Sequence, residues 1–418
     1  MRTRKIRPGD PLHDQHLLDL LPDGSPLSWV CRGDGIVGWG EAARLDTSGP
    51  ERFAAADAWW QRLARQMDVD DEVRLPGTGP VAFASLAFAD EPGGSAVVVP
   101  RVLVGQRAGV RWVTRIGEAE PVAAEPVRAP GEIRYGDGQL SAAGYRSAVA
   151  EAVRRLNRGD PGERPDKVVL AHDLLASTSE PLDPRFVLGN LADQYPNCWT
   201  FSVDGLVGAT PELLLERTGD EVRSRVLAGT VWPRDGHDPD QLAAELLDSA
   251  KNRSEHRYAI ESLATRLDPF CTEMAVPSEP RVLRLHNLMH LASDVSGTLD
   301  PSLDGSASLL RMVGAVHPTA AVGGTPTAGA VRMISELERM DRGRYAGPVG
   351  WIDGTGNGEL GIALRCARIQ RTASGDQARL YAGGGIVADS EPDLEVAEAE
   401  AKFRPVREAL EGDGGRRQ

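Results

Sequence analysis

Over roughly the first 115 residues, apolar and polar positions alternate in short stretches, SWVCRG, GIVGWGEA, VAFASLAF and AVVVPRVLV, separated by Gly, Pro and Asp clusters. A period of two between turn residues predicts antiparallel strands. RFAAADAWWQRLARQ breaks this period and predicts an inserted helix. EAEPVAAEPVRAPGE, rich in Pro, Ala and Glu, then reads as a surface connection. It divides the chain into a strand-rich N-terminal part, 1–130, and a second part, 138–410, within one expected globular unit.

In the second part LSAAGYRSAVAEAVRRLNRG has helical periodicity and PDKVVLAHDLLAS follows as a strand. TFSVDG, LVGATPELLLERTGD and EVRSRVLAGT predict three strands with Asp-Gly and Gly-Asp at their turns. QLAAELLDSAKNRSEHRYAIESLATRL predicts one long helix with Leu242, Leu246, Ile260, Leu263 and Leu267 near one stripe. PVGWIDGTGNGELGIALRCARIQ and ARLYAGGGIV read as strands around Gly-rich turns. PDLEVAEAEAKFRPVREAL predicts a closing helix opened by Pro392 after a Ser390 cap. There is no internal repeat. Strands in runs, with helices between the runs, predict an α+β protein with antiparallel sheets.

Composition narrows the function. A chain of 418 residues buries a large core. Its net charge of −14, with no basic stripe interleaved with aromatics, argues against nucleic acid. The same charge repels small anions, so an anionic substrate needs a local cation cluster or a metal. Cys31, Cys198, Cys271 and Cys366 lie far apart without a CxxC pair, which disfavours a zinc site or a disulfide framework. No apolar run suits a signal peptide or a membrane span, and the expected compartment is the cytoplasm.

Several residues carry possible chemistry. Glu395, Glu398 and Lys402 fall near one face of the closing helix. They suit either a solvated acidic face with a Glu398–Lys402 pair or a carboxylate site for a hard cation such as magnesium. Glu255, in KNRSEH, is a second acidic position that is either solvent-facing or a ligand. Lys167 opens an apolar strand, where it is either a strand-end lysine with its head in water or a desolvated general base. Glu212, after Pro211, is an exposed acid or one that keeps its proton among apolar neighbours and acts as a general acid. GTGNGELG precedes a strand rather than a helix, so it is a hairpin turn and not a dinucleotide loop. AGGGIV is a plain turn or a nest of amides for a carboxylate. Arg365, inside the apolar GIALRCARI, must find an anion or a set of acceptors.

In order along residues 138 to 407, KVVLAHDL, GATPELLLER, VLAGT, KNRSEH, LMHLASDVSGTL, AVHPTAAVGGTP, ELERMDRGRYAGPVGW, ELGIALRCARI, LYAGGGIV and the closing E-x-x-E-x-x-x-K resemble the chorismate-binding family of isochorismate, salicylate, anthranilate and aminodeoxychorismate synthases. The resemblance implies a large α+β fold in which two antiparallel sheets pack face to face, flanked by helices. It implies magnesium held by Glu255 and Glu398 with Glu395 beside them, and a pyruvyl carboxylate held by Tyr345, Arg365 and the Gly383, Gly384, Gly385 turn. His290 and Lys402 would line the same pocket. Lys167 would activate the water that attacks ring carbon 2, and Glu212 would protonate the hydroxyl leaving carbon 4.

Within the family, Lys167 resembles the water-using members. Ala228 stands where aminodeoxychorismate synthases tend to have lysine, and Ala321 where pyruvate-eliminating members tend to have threonine. The expected activity is therefore that of an isochorismate synthase, an isomerase serving menaquinone or siderophore synthesis. Salicylate synthase and a non-catalytic chorismate-binding protein are the alternatives. The expected assembly is a monomer without an obligatory amidotransferase partner. His172 stands where relatives usually have arginine, and Asn252 replaces an acidic residue one turn before Glu255. These departures bear on a pocket or packing contact and on the acidic surroundings of the metal.

Overall fold

The five residues Val81–Ser85 are all buried, a strand with no polar face. Such a strand needs cover on both sides, and the architecture provides it. The structure is a computed structural model describing the chain apart from residues 120–124, 159–163, 233–237, 285–287, 304, 373–374 and 413–418. Part of the expected connection between the two halves, 120–124, therefore lies outside the described residues.

The strands that build the centre are β1 (Leu27–Cys31), β2 (Asp34–Thr47), β3 (Val81–Ser85), β4 (Ser95–Arg107), β5 (Lys167–Thr178), β6 (Trp199–Val203), β7 (Leu206–Thr210), β8 (Leu213–Thr218), β9 (Glu221–Val231), β10 (Met289–Leu299), β11 (Pro348–Asp353), β12 (Gly358–Ile362), β13 (Cys366–Thr372) and β14 (Gly375–Ile386). They form two antiparallel series that share β4. One runs β4-β2-β1-β6-β7-β13-β14-β5. The other runs β4-β3-β11-β12-β8-β9-β10. One large apolar core joins them, beside a small separate cluster of Ala243, Leu246, Met289 and Leu291, and the Trp29 indole N–H of β1 donates to Glu359 of β12 at 2.9 Å.

Among the described residues eight α-helices surround this centre: α1 (Arg52–Gln66), α2 (Ala142–Arg158), α3 (Pro184–Gln194), α4 (Pro239–Asp248), α5 (Ala250–Leu267), α6 (Leu309–Val316), α7 (Thr327–Glu338) and α8 (Pro392–Glu411). α8 lies on β14 and against α2 and α3, while α5 covers β9 and β10. The α+β architecture with antiparallel pairing is as the sequence pattern predicts, and the two sheets that the resemblance implies are two series of one continuous sheet, joined at β4. None of the described helices is long and apolar enough to cross a membrane, and the four cysteines are free thiols.

Four local expectations are corrected. The long helix is two helices, because Ser249 is extended and its hydroxyl accepts from the Asn252 amide at 3.3 Å, capping α5. All five leucine and isoleucine positions of its stripe are nevertheless buried. The GATPELLLER strand is interrupted at Pro211–Glu212, where the chain leaves the first series and enters the second; Pro211 has no N–H to extend the ladder. The GIALRCARI strand is likewise broken between β12 and β13, where the chain crosses back. Ser390 does not cap α8. Glu391 holds that position without a side-chain bond, and the Ser390 hydroxyl accepts from the Val387 amide at 3.1 Å.

Candidate active site

The two crossings carry ionisable side chains. Glu212 sits on the outgoing one and Arg365 on the returning one, each where the backbone is free of regular pairing. Arg365 has φ +46°, a left-handed conformation uncommon for a side chain other than glycine. Sequence places it inside a strand; the break turns its guanidinium into the interior, where it is 8 % exposed.

Both residues line a cavity of about 360 Å³ between the sheet ends, the start of α5 and the first turns of α8. All twelve residues singled out from sequence line it: Lys167, Glu212, Glu255, His290, Tyr345, Arg365, Gly383, Gly384, Gly385, Glu395, Glu398 and Lys402. The discriminating alanines Ala228 and Ala321 and the departure Asn252 are also on its wall. His172 is not. Its ring stacks on Tyr145 at 4.7 Å and meets the Phe403 edge at 5.0 Å, and burial pushes its pKa down to about 4. It is a packing residue behind the wall.

Charges inside the cavity fall into distinct environments. Burial pushes the Glu212 carboxyl up to about 8, against the opposing pull of Lys167 and Arg365. A carboxylic acid protonated near neutrality is a proton donor. Lys167, the first residue of β5, donates to Glu255 Oε1 at 2.6 Å. Lys402 donates to Glu398 Oε1 at 2.6 Å and to the Gly383 carbonyl at 2.8 Å.

Arg365 approaches His290 Nε2 at 3.4 Å. A guanidinium only donates, so that nitrogen accepts and His290 is neutral with its hydrogen on Nδ1, 3.0 Å from Thr230 Oγ1. Burial, then Arg365 and Lys402, hold its pKa well below the ordinary imidazole range. One Arg365 nitrogen, NH1, is buried with no protein partner. A buried guanidinium N–H without an acceptor marks a place for an anion.

The triple glycine is not a turn. Gly383, Gly384 and Gly385 lie within β14, paired with Ala171, Leu170 and Val169 of β5, so the expected nest of amides is corrected to a stretch of bare strand. Its bareness has a steric cause. A Cβ on Gly383 would stand 2.0 Å from the Leu170 carbonyl oxygen. One on Gly384 would stand 3.1 Å from Glu395 and 3.4 Å from Glu398, and one on Gly385 would stand 2.6 Å from the Lys167 side chain and 3.6 Å from Glu255. The glycines thus leave open a cradle bounded by all three acidic residues.

Among the described residues, no three acidic, imidazole or thiol groups stand close enough to form a ready-made cation site. The donor set still fits a hard cation that takes one or two carboxylates and leaves its other positions to water and ligand, and an ion in the cradle would replace the two lysine partners. This fit concerns Glu255 and Glu398, with Glu395 alongside.

Sequence reasoning missed other wall residues. Tyr381 stacks on Tyr345 with centroids 5.0 Å apart and planes 9° apart. Arg342 pairs with Glu338 at 2.5 Å, both buried, and donates to the Val169 and Val322 carbonyls, while Glu338 accepts from the Ala171 amide. This pair fastens β5 to the 321–323 segment. The signal was present in ELERMDR as Glu and Arg four apart at a helix end, a pattern that by itself usually marks a surface pair.

Comparison with known proteins gives the family and the fold. The sequence profile of the family described as chorismate binding enzyme matches residues 117–411. Isochorismate synthase DhbC of Bacillus subtilis is 37% identical over 280 residues, covering 64% of this chain and 67% of that protein. The putative isochorismate synthase MenF of Mycobacterium tuberculosis is 34% identical over 349 residues, covering 80% and 87%. The crystal structure of a putative 2,3-dihydroxybenzoate-specific isochorismate synthase, DhbC from Bacillus anthracis, superposes with a TM-score of 0.75 at 28% identity, covering 94% of this chain and 98% of that one.

Proposed function

The chain belongs to the chorismate-binding enzyme family, and on that premise we propose that it is an isochorismate synthase, converting chorismate to isochorismate. The observation that carries this reading is that Lys167 and a carboxyl held protonated near neutrality, Glu212, line one cavity. Lys167 takes a proton from water as its oxygen bonds to ring carbon 2. The ring double bonds shift, the carbon 4–oxygen bond breaks, and Glu212 gives its proton to the departing hydroxyl, which leaves as water. One water is consumed and one released, so the reaction is an isomerisation.

Arg365, with its unpartnered nitrogen, and Tyr345 hold the pyruvyl carboxylate, and His290 lies beside Arg365. Glu255 and Glu398, supported by Glu395, would hold magnesium, which supplies positive charge for the ring carboxylate. That charge, with Lys402 and Arg365, answers the repulsion expected from a net charge of −14. Menaquinone or siderophore synthesis is the proposed destination of the product.

The test is incubation of the purified protein with chorismate, with magnesium and separately with EDTA, and identification of products by chromatography and mass. Isochorismate without pyruvate, only with magnesium, supports the reading. Salicylate with pyruvate identifies a salicylate synthase instead. Binding of chorismate without conversion leaves a non-catalytic binding protein.

A further inference from the structure

Behind the Lys167–Glu255 pair lies a second cavity, of about 220 Å³. It shares Lys167, Glu255 and Val387 with the main cavity, so these side chains form a common wall. Its far side is rimmed by exposed Asp166, Tyr258 and Asp389, which open it to solvent. We propose that this second cavity is the entrance through which water, but not chorismate, reaches Lys167. The inference rests on the isochorismate synthase reading.

Three properties carry it. The first is place: a substrate filling the main cavity obstructs water from that side, whereas water in the second cavity meets the Lys167 amine without passing the ring. The second is size. At roughly 30 Å³ of liquid per molecule the space suits a short file of waters, and it falls below the roughly 300 Å³ at which small-molecule sites begin. The third is charge. Asp166 and Asp389 make the solvent rim of the passage negative, while Glu255 deeper in is paired with Lys167; a negative rim repels a dianionic substrate and product and is indifferent to neutral water. Ser254, Thr325 and the Tyr258 hydroxyl supply hydrogen-bonding partners along it.

The experiment fills the passage with side chains that do not line the main cavity. Ala320, 2 % exposed, and Thr325 line the second cavity and not the first. Ala320→Phe and Thr325→Trp are each compared with wild type for turnover, for KM, and for chorismate affinity measured directly in a Glu212→Gln background. We expect kcat to fall by about tenfold or more with KM and affinity within about twofold, and circular dichroism unchanged. Should Ala320→Phe fail to fold, Thr325→Trp decides alone. Turnover within twofold of wild type overturns the proposal, and so does loss of chorismate affinity together with turnover, which would make the space part of the substrate site. If wild type itself makes no isochorismate, it is the functional reading that has failed.

Discussion

Lys167 Nζ and Glu255 Oε1 stand 2.6 Å apart, joining the start of β5 to the second turn of α5 across the cavity wall. The carboxylate assigned to the metal and the amine assigned to the water are therefore partners, as are Glu398 and Lys402. In this arrangement two of the cavity's carboxylates are matched by its two lysines, and a cation taking both carboxylates would set both lysines free.

Replacing the amine tests the base directly. Lys167→Ala should lower kcat by roughly 10²- to 10⁴-fold, the range of a positioned general base, while melting cooperatively. Near-normal turnover by this variant would remove Lys167 from the mechanism.

The metal assignment is checked by calorimetry as well as by rate. Glu398→Ala should weaken magnesium binding by about 10- to 100-fold or more, at least the loss expected for a supporting group, and EDTA should stop wild-type turnover. Unchanged magnesium affinity in Glu398→Ala would point to other ligands.

Glu212 sets the alkaline limit. Its folded pKa of about 8 lies above the ordinary value of 4.5, so the acid form needed for catalysis is lost as pH rises through about 8. kcat/KM, which reports the free enzyme, should decline there. Stability has the same sign: the contribution of the neutral carboxyl is complete below 4.5 and is lost on passing 8. Glu212→Gln should be inactive yet lose less stability than wild type between pH 7 and pH 9. A rate that keeps rising through pH 9 would contradict the assignment.

At Arg365 the side chain and the backbone are separable. Both Arg365→Ala and Arg365→Gly should lose substrate affinity, but φ +46° favours glycine, so the glycine variant should be the more stable by about 1 kcal/mol. Equal urea midpoints would show that the backbone relaxes on substitution.

Glu338 and Arg342 are buried almost completely and fasten β5 at Val169 and Ala171. Removing one partner strands the other charge, so Glu338→Ala should cost about 3–5 kcal/mol in denaturant unfolding. A loss under 1 kcal/mol would mean that water replaces the carboxylate.

Part of the site was legible because its residues break local rules, Glu212 among leucines, Arg365 in an apolar run and glutamates spaced three apart, whereas His290 and Tyr345 came only with the family resemblance. What sequence concealed depends on partners far along the chain. Gly383–Gly385 looks like a turn until β5 is laid beside it. Arg365 looks like a strand residue until β12 and β13 are seen to belong to different series. The division between α4 and α5 depends on a single hydroxyl bond, at Ser249, within an otherwise helical pattern. The Glu338–Arg342 pair reads as a surface pair because burial is set by tertiary packing.

The strand with no polar face, β3, has Ala84 opposite Gly350 of β11. On a ribosome adding roughly 5–20 residues per second, that partner emerges on the order of tens of seconds after β3 itself. For that interval the nascent chain carries VAFAS with one edge unpaired, a short apolar template for association with other chains. Yield in a host should therefore depend on elongation rate and on chaperone supply, and growth at lower temperature with chaperone co-expression is the natural first condition for producing the protein.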